Sequence, residues 1–251
     1  MSADLIGVTA TGGVPLFARQ SIRKSNESNQ QTDSLPFATL AALNGVNLFS
    51  RLNDADLLSC ITKDSIIRWK VYKGSIVLIA IITNLDINEE QLLNFVDVVF
   101  DCIVLTCGIT EITCQNIERL KRCLKHSYQL IDYLINCLIG SGQHLLSLIT
   151  SSVEYSLIGE DKDFFYSLVE SVAQYASSSF CSLFVNQKLV SASKLWWTKL
   201  SCSRDSLVIS FLVNSLSQTS PVQTSDMIVF LPENCPSSAT RLIVSQLFDG
   251  A

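Results

Sequence analysis

Ser75-Ile-Val-Leu-Ile-Ala-Ile-Ile-Thr83 is the stretch on which the fold turns. It is apolar on both faces, and it is far shorter than the roughly 20 residues needed to cross a bilayer. It therefore reads as a central strand covered by helices on each side. Just before it, Ile66 to Tyr72 alternates Ile67, Trp69 and Val71 with Arg68 and Lys70, the pattern of a half-buried strand. A third strand, Leu57 to Thr62, comes earlier still, and the turns at Lys63-Asp64-Ser65 and Lys73-Gly74 join the three. Connections this short make antiparallel neighbours.

The N-terminal side supplies a hairpin and a helix. Asp4 to Thr11 and Val14 to Arg19 flank Gly12-Gly13, a turn that needs positive φ. Pro15 cannot donate to a ladder, which places the second strand at a sheet edge. Gln20 to Ser34 has no apolar period and reads as a loop. A helix then begins near Pro36, with Ser34 as its cap. Phe37, Leu40, Leu43, Val46 and Phe49 recur at threes and predict one buried stripe, and Gly45 among them predicts a close backbone contact.

Towards the C-terminus two helices are predicted as cover for the central strand. One runs from the cap Asn88, with Glu89 and Glu90 in its first turn, to Cys107 before Gly108. The other carries Ile117, Leu120, Leu124, Ile131, Leu134 and Leu138 and stops at Gly140. The resulting order predicts an α+β unit over 1–140, an antiparallel five-stranded sheet with helices on both faces. A connector, 141–160, includes a short helical piece, Leu145 to Val153. Residues 161–251 repeat the opening of the first unit: helix 163–175, strands 179–186 and 189–193, helix 195–216, and strands 227–231 and 242–248. This second unit is expected to lack its fifth strand and covering helices.

Composition narrows the function. Of 251 residues, 48% are hydrophobic and 16% charged, enough for one or two well-filled cores and opposite to the composition of disorder. The formal charge of -5 predicts no general affinity for nucleic acid. The longest charge-free stretch, Tyr133 to Val153, is interrupted by Gly140-Ser141-Gly142, and Met1-Ser2-Ala3-Asp4 has no signal-peptide character. The chain reads as cytosolic. Its nine cysteines include no CxxC pair and read as small buried hydrophobes, and the sequon Asn26-Glu27-Ser28 reads as idle.

No catalytic constellation is visible. His126 and His144 are isolated, no metal-ligand spacing or phosphate-binding loop occurs, and neither a cofactor nor a metal is expected. Two surfaces remain as candidates for binding. Asn44, Val46, Asn47, Leu48 and Phe49 mix polar and apolar side chains as an interface does. Arg119, Lys121, Arg122 and Lys125 form a basic helix face suited to a phosphoinositide headgroup. Trp196-Trp197 reads as at least one ring packed in a core, with a binding anchor as the alternative.

Several segments carry a resemblance: Gly13-Val-Pro-Leu-Phe17, Leu35-Pro-Phe37, Leu43-Asn-Gly-Val-Asn-Leu-Phe49 and Trp69-Lys70. Ile117-Glu-Arg-Leu-Lys121, Ser127-Tyr128, Leu130-Ile-Asp132 and Trp196-Trp197 follow in the same order. From about residue 5 to 248 the chain resembles the Fuzzy family of planar cell polarity effectors, whose members continue well past residue 251. The resemblance implies longin-type domains, an Inturned-like longin partner and a WD-repeat partner. It also implies a part in nucleotide exchange on a Rab-type small GTPase, a role in ciliogenesis and a place at the cytoskeleton and cilium basal body. The alternative is a longin adaptor of a vesicle-coat or SNARE-type complex without exchange activity.

Overall fold

A computed structural model describes residues 2–22, 37–83, 87–140, 145–156, 159, 161–219 and 224–246. The sequon at Asn26, the cap Ser34, Pro36 and His144 lie outside the described residues. The first elements are β1 (Ser2–Thr9), β2 (Pro15–Ile22), α1 (Phe37–Leu52), β3 (Ser59–Ile61), β4 (Ser65–Tyr72) and β5 (Ile76–Thr83). The five strands form one antiparallel sheet in the order β2-β1-β5-β4-β3. The apolar run is β5, and it lies in the centre, as its two-sided hydrophobicity requires. Pro15 opens the edge strand β2, where no ladder donor is missed.

Alternation along β5 divides the interior into two layers. Leu78, Ala80 and Ile82 face one cluster, which contains Leu92, Phe95, Ile103, Ile131 and Leu134. Those residues belong to α2 (Glu89–Cys107) and to α5 (Tyr128–Ile139), the latter reached through α3 (Ile109–Ile112) and α4 (Ile117–Leu124). Val77 and Ile79 face the other cluster with Ile6, Val8, Ala10 and Trp69, against which Leu40 and Leu43 of α1 pack. Thus α2 and α5 share one face, and among the described helices α1 covers the other.

Local signals explain the ends of α2. The Asn88 side chain accepts from the Gln91 backbone N–H at 2.8 Å, and the Gln91 side chain accepts from the Asn88 N–H at 3.0 Å. That reciprocal cap satisfies two donors that a helix start otherwise leaves open. Gly108 ends the helix and donates to the Val104 carbonyl at 2.8 Å.

The predicted helix over 117–138 is broken: α4 stops at Leu124, a 3-10 turn spans Lys125–Ser127, and α5 follows. The break falls where buried Ser127 is drawn into a 2.6 Å hydroxyl contact with Thr106 of α2. Lys125 accordingly leaves the helix that carries the other basic residues.

Beyond α6 (Leu145–Thr150) come α7 (Lys162–Tyr175), β6 (Ser182–Val185), β7 (Lys188–Ala192), α8 (Lys194–Lys199), α9 (Arg204–Thr219), β8 (Thr224–Leu231) and β9 (Cys235–Ser245). The helix predicted over 195–216 is two, because the chain turns at Leu200–Ser203. There, backbone N–H groups of Leu200 and Ser201 both donate to the Trp196 carbonyl. The strands pair as two separate hairpins, β6 with β7 and β8 with β9. Trp196 is buried and joins the same cluster as α2 and α5, together with Leu207 and Phe211 of α9. Trp197 lies outside it, stacked on Tyr155 at 5.6 Å between ring centroids.

Candidate partner interface

α1 carries sixteen residues and one charge, Arg51 in its last turn. Two hydrogen bonds and one close approach fix its seat on the sheet. Trp69 Nε1 donates to the Leu43 carbonyl at 3.3 Å, and Arg51 Nη1 donates to the Ala10 carbonyl at 2.8 Å. Asn44 lies over the β1–β2 turn, so close that a Cβ on Gly13 would fall 1.8 Å from its Nδ2. Gly13 has φ +60 as well, so both space and backbone conformation demand glycine there.

The face that α1 turns to the sheet consists of Leu40, Leu43, Asn44 and Asn47, at the spacing of one helical face. Asn47 is only 2% exposed. Val46 is 52% exposed, Phe49 69% and Leu52 83%. This corrects the stripe predicted at threes. Three residues advance a helix by about 300°, so each step slips about 60° off the starting face, and Val46 and Phe49 have rotated out to solvent. Gly45, predicted at a close backbone contact, has no neighbour within 4 Å of where a Cβ would stand.

The five candidate residues therefore divide. Val46 and Phe49 are presented outward, Leu48 is half-buried, and Asn44 and Asn47 point into the molecule. Among the described residues, Asn47 Nδ2 and Asn44 Oδ1 have no hydrogen-bond partner. An orphaned buried polar atom costs about 1–3 kcal/mol. Polar groups thus face the layer where they are penalised, while Val46, Phe49 and Leu52 sit in water. The outer residue that the sequence reading missed is Leu52, whose signal was its spacing of three from Phe49 and six from Val46. Leu58 and Ile61 follow along the chain, also exposed, the latter in the edge strand β3.

The basic candidates are assembled differently. Asn116 caps α4 by accepting from the Arg119 N–H at 3.0 Å. The Arg119 guanidinium grips Glu111 through two nitrogens, raising its own pKa, and Lys121 lies 3.9 Å from Glu118. Arg122 Nε donates to the Glu118 carbonyl at 3.4 Å. Two of the four charges thus face carboxylates of the same surface. Exposed pairs of this kind add little stability, yet they lower the positive potential an anion would meet.

Residues 5–134, the five-stranded sheet and the helices on it up to α5, match the family described as the first longin domain of FUZ, MON1 and HPS1. The chain belongs to the Fuzzy longin family. It is 33% identical over 248 residues to the protein fuzzy homolog of Homo sapiens, covering 98% of this chain and 56% of that protein. With the protein fuzzy homolog of Rattus norvegicus it shares 32% over 250 residues, covering 99% and 57%, and with that of Xenopus tropicalis 30% over 250 residues, covering 99% and 55%. The chain thus spans about half the length of the curated relatives it matches.

In this Fuzzy-family chain the opposite side of the longin sheet is closed by charge as well as by packing. Asp97 and Asp101, one turn apart on α2, are buried. Lys70 Nζ and the Tyr72 hydroxyl both reach Asp97 Oδ1 at 2.5 Å, and Arg204 of α9 donates to Asp101 Oδ2 at 3.0 Å. The Tyr72 ring stacks on Phe100 with centroids 4.0 Å apart. These residues line a cavity of about 370 Å³ that extends to Pro232 and Pro236. Burial pushes the Asp101 carboxyl up to about 6, with Arg204 pulling the other way. The network ties β4, α2 and α9 together, and each charge in it faces an opposite one. No group of three or more possible metal ligands occurs among the described residues, and none of the described helices is long and apolar enough to cross a membrane.

Proposed function

We propose that the chain is a longin subunit of a planar cell polarity and ciliogenesis complex. It pairs with an Inturned-like longin subunit, meets a WD-repeat planar polarity effector, and with its partner promotes nucleotide exchange on a Rab-type small GTPase. It acts in the cytoplasm, at the cytoskeleton and cilium basal body, without a catalytic group of its own. Residues 161–251 begin a second longin-like unit, joined through 141–160.

The observation that carries this reading is the outward face of α1, with Val46, Phe49 and Leu52 in solvent on a nearly charge-free helix. Apolar surface held in water on a rigid element favours a protein partner. Exchange needs no proton transfer. It needs a surface that binds the nucleotide-free GTPase better than the loaded form and so shifts the population. Two longin sheets side by side, each contributing its first helix, make such a platform.

The test mixes the full chain with an Inturned-like subunit and follows release of fluorescent GDP from a Rab-type GTPase. Acceleration is expected only with both subunits present. Val46→Asp with Phe49→Asp should weaken pairing at least about 30-fold, the equivalent of one hot-spot residue at ~2 kcal/mol. Unchanged pairing by the folded double variant would refute the interface, and pairing without exchange would leave an adaptor.

A further inference from the structure

The cavity shared by β4, α2 and the start of α9 is built as a site as well as a junction. One wall is the end of the β8–β9 hairpin, where Pro232 and Pro236 line it. Asp205, fully buried in the first turn of α9, fixes that hairpin end. It accepts from the backbone N–H groups of Glu233 and Asn234 at 2.8 and 3.1 Å and from Asn234 Nδ2 at 2.6 Å. Phe100, Val104 and Ile109 add apolar surface. At about 370 Å³ the space falls in the range of small-molecule sites.

Three cations, Lys70, Lys73 and Arg204, line this cavity with two carboxylates, Asp97 and Asp101. The carboxylates are engaged, Asp97 by Lys70 and Tyr72 and Asp101 by Arg204. The cations are not used up. Among the described residues Lys73 forms no ion pair, while Lys70 Nζ and the Arg204 guanidinium make one hydrogen bond each and keep further N–H groups to give. Lys73 also stands in an unusual conformation, at φ 51 beside Gly74 at φ 62. Left-handed backbone disfavours a lysine, and asparagine or glycine suits such a turn better. The turn gives no reason for a lysine there; the cavity does.

We propose that this cavity binds a small organic anion, its carboxylate or phosphate oxygens held by Lys73 and Arg204 and its apolar part set against Ile109, Pro232 and Pro236. A cationic ligand is disfavoured, because both carboxylates are already taken and the lining carries one positive charge in excess. The charged groups come from the β4–β5 hairpin, α2 and α9, so a ligand seated among them binds the folded junction and stabilises it by mass action.

The experiment titrates the full chain at low ionic strength with benzoate, phenyl phosphate and uncharged benzyl alcohol, followed by calorimetry. At least one of the two anions should bind at millimolar concentration or below and raise the thermal midpoint, and benzyl alcohol should do neither. Tighter benzoate marks a carboxylate ligand, and tighter phenyl phosphate a phosphate ligand. Lys73→Gln, at an exposed turn, should weaken binding about tenfold. Lys63→Gln, in the turn at the opposite end of β4, should leave it unchanged. No binding of either anion up to about 10 mM, equal affinity in Lys73→Gln, or an equal loss in Lys63→Gln would overturn the proposal.

Discussion

α1 and α2 are helices of similar length that flank one sheet, and they meet opposite fates. In α2, thirteen of nineteen residues are buried, among them two aspartates. In α1, the only buried residue among the described side chains is Asn47. The difference lies in what stands behind each helix. α2 has the sheet on one side and α6, α9 and β8 on the other, so its whole circumference is used. Among the described residues α1 has the sheet alone, and its outer apolar residues Val46, Phe49 and Leu52 are exposed. One layer is finished within the chain, and the other is the face we propose for a partner.

The largest effect should come from truncating matched aromatic residues on the two helices. Phe95→Ala on α2 should cost about 3–5 kcal/mol of unfolding free energy, because Phe95 is fully buried between sheet and helices. Phe49→Ala on α1 should stay within about 0.5 kcal/mol. Urea titrations of both variants decide this. A large loss at Phe49 would place it in a core and erase the contrast.

Next in size is Gly13→Ala, which should destabilise by about 1–3 kcal/mol. The added methyl group forces a left-handed backbone on alanine and collides with Asn44, lifting α1 at that end. Faster hydrogen exchange along α1 than along α2 would report the lifting.

The outer side of α2 is tested by pH. Asp101 sits at about 6 rather than 3.8 because burial disfavours its charge. A carboxyl raised in the folded state contributes stability below its unfolded value, and that contribution is lost as pH rises through about 6. Asp4, buried and likewise raised to about 6, acts with the same sign. Urea midpoints from about pH 4 to pH 7 should therefore fall more steeply in the native chain than in Asp101→Asn. Identical slopes would remove the burial argument for Asp101.

The smallest expected effect lies on the inner face of α1. Asn47→Leu removes an amide whose nitrogen has no partner among the described residues, and it should leave stability unchanged or raise it by about 1 kcal/mol. A loss above that in a thermal scan would mean the amide is held after all.

How much of this the sequence discloses depends on how local the signal is. The bounds of α2 are legible because Asn88, Gln91 and Gly108 act within a few residues of the ends they set. β5 is legible as the central strand because its two-sided hydrophobicity admits no other place. The phase of α1 is not, since a run at threes looks like a stripe yet winds round the helix, and the asparagines that face inward look like solvent residues. The break at Lys125–Ser127 depends on Thr106, and the burial of Asp101 on Arg204, 103 positions away. Contacts at such separations leave no mark on periodicity. The candidate interface residues share that fate in part: Val46 and Phe49 are exposed, while Asn44 and Asn47 face the helix's own sheet.

The most direct measurement is hydrogen–deuterium exchange of the full chain with and without an Inturned-like longin subunit. Added protection should appear along residues 37–52, with α2 slow to exchange in both samples. Protection elsewhere, with α1 exchanging as it does alone, would contradict the claim that this helix awaits a partner.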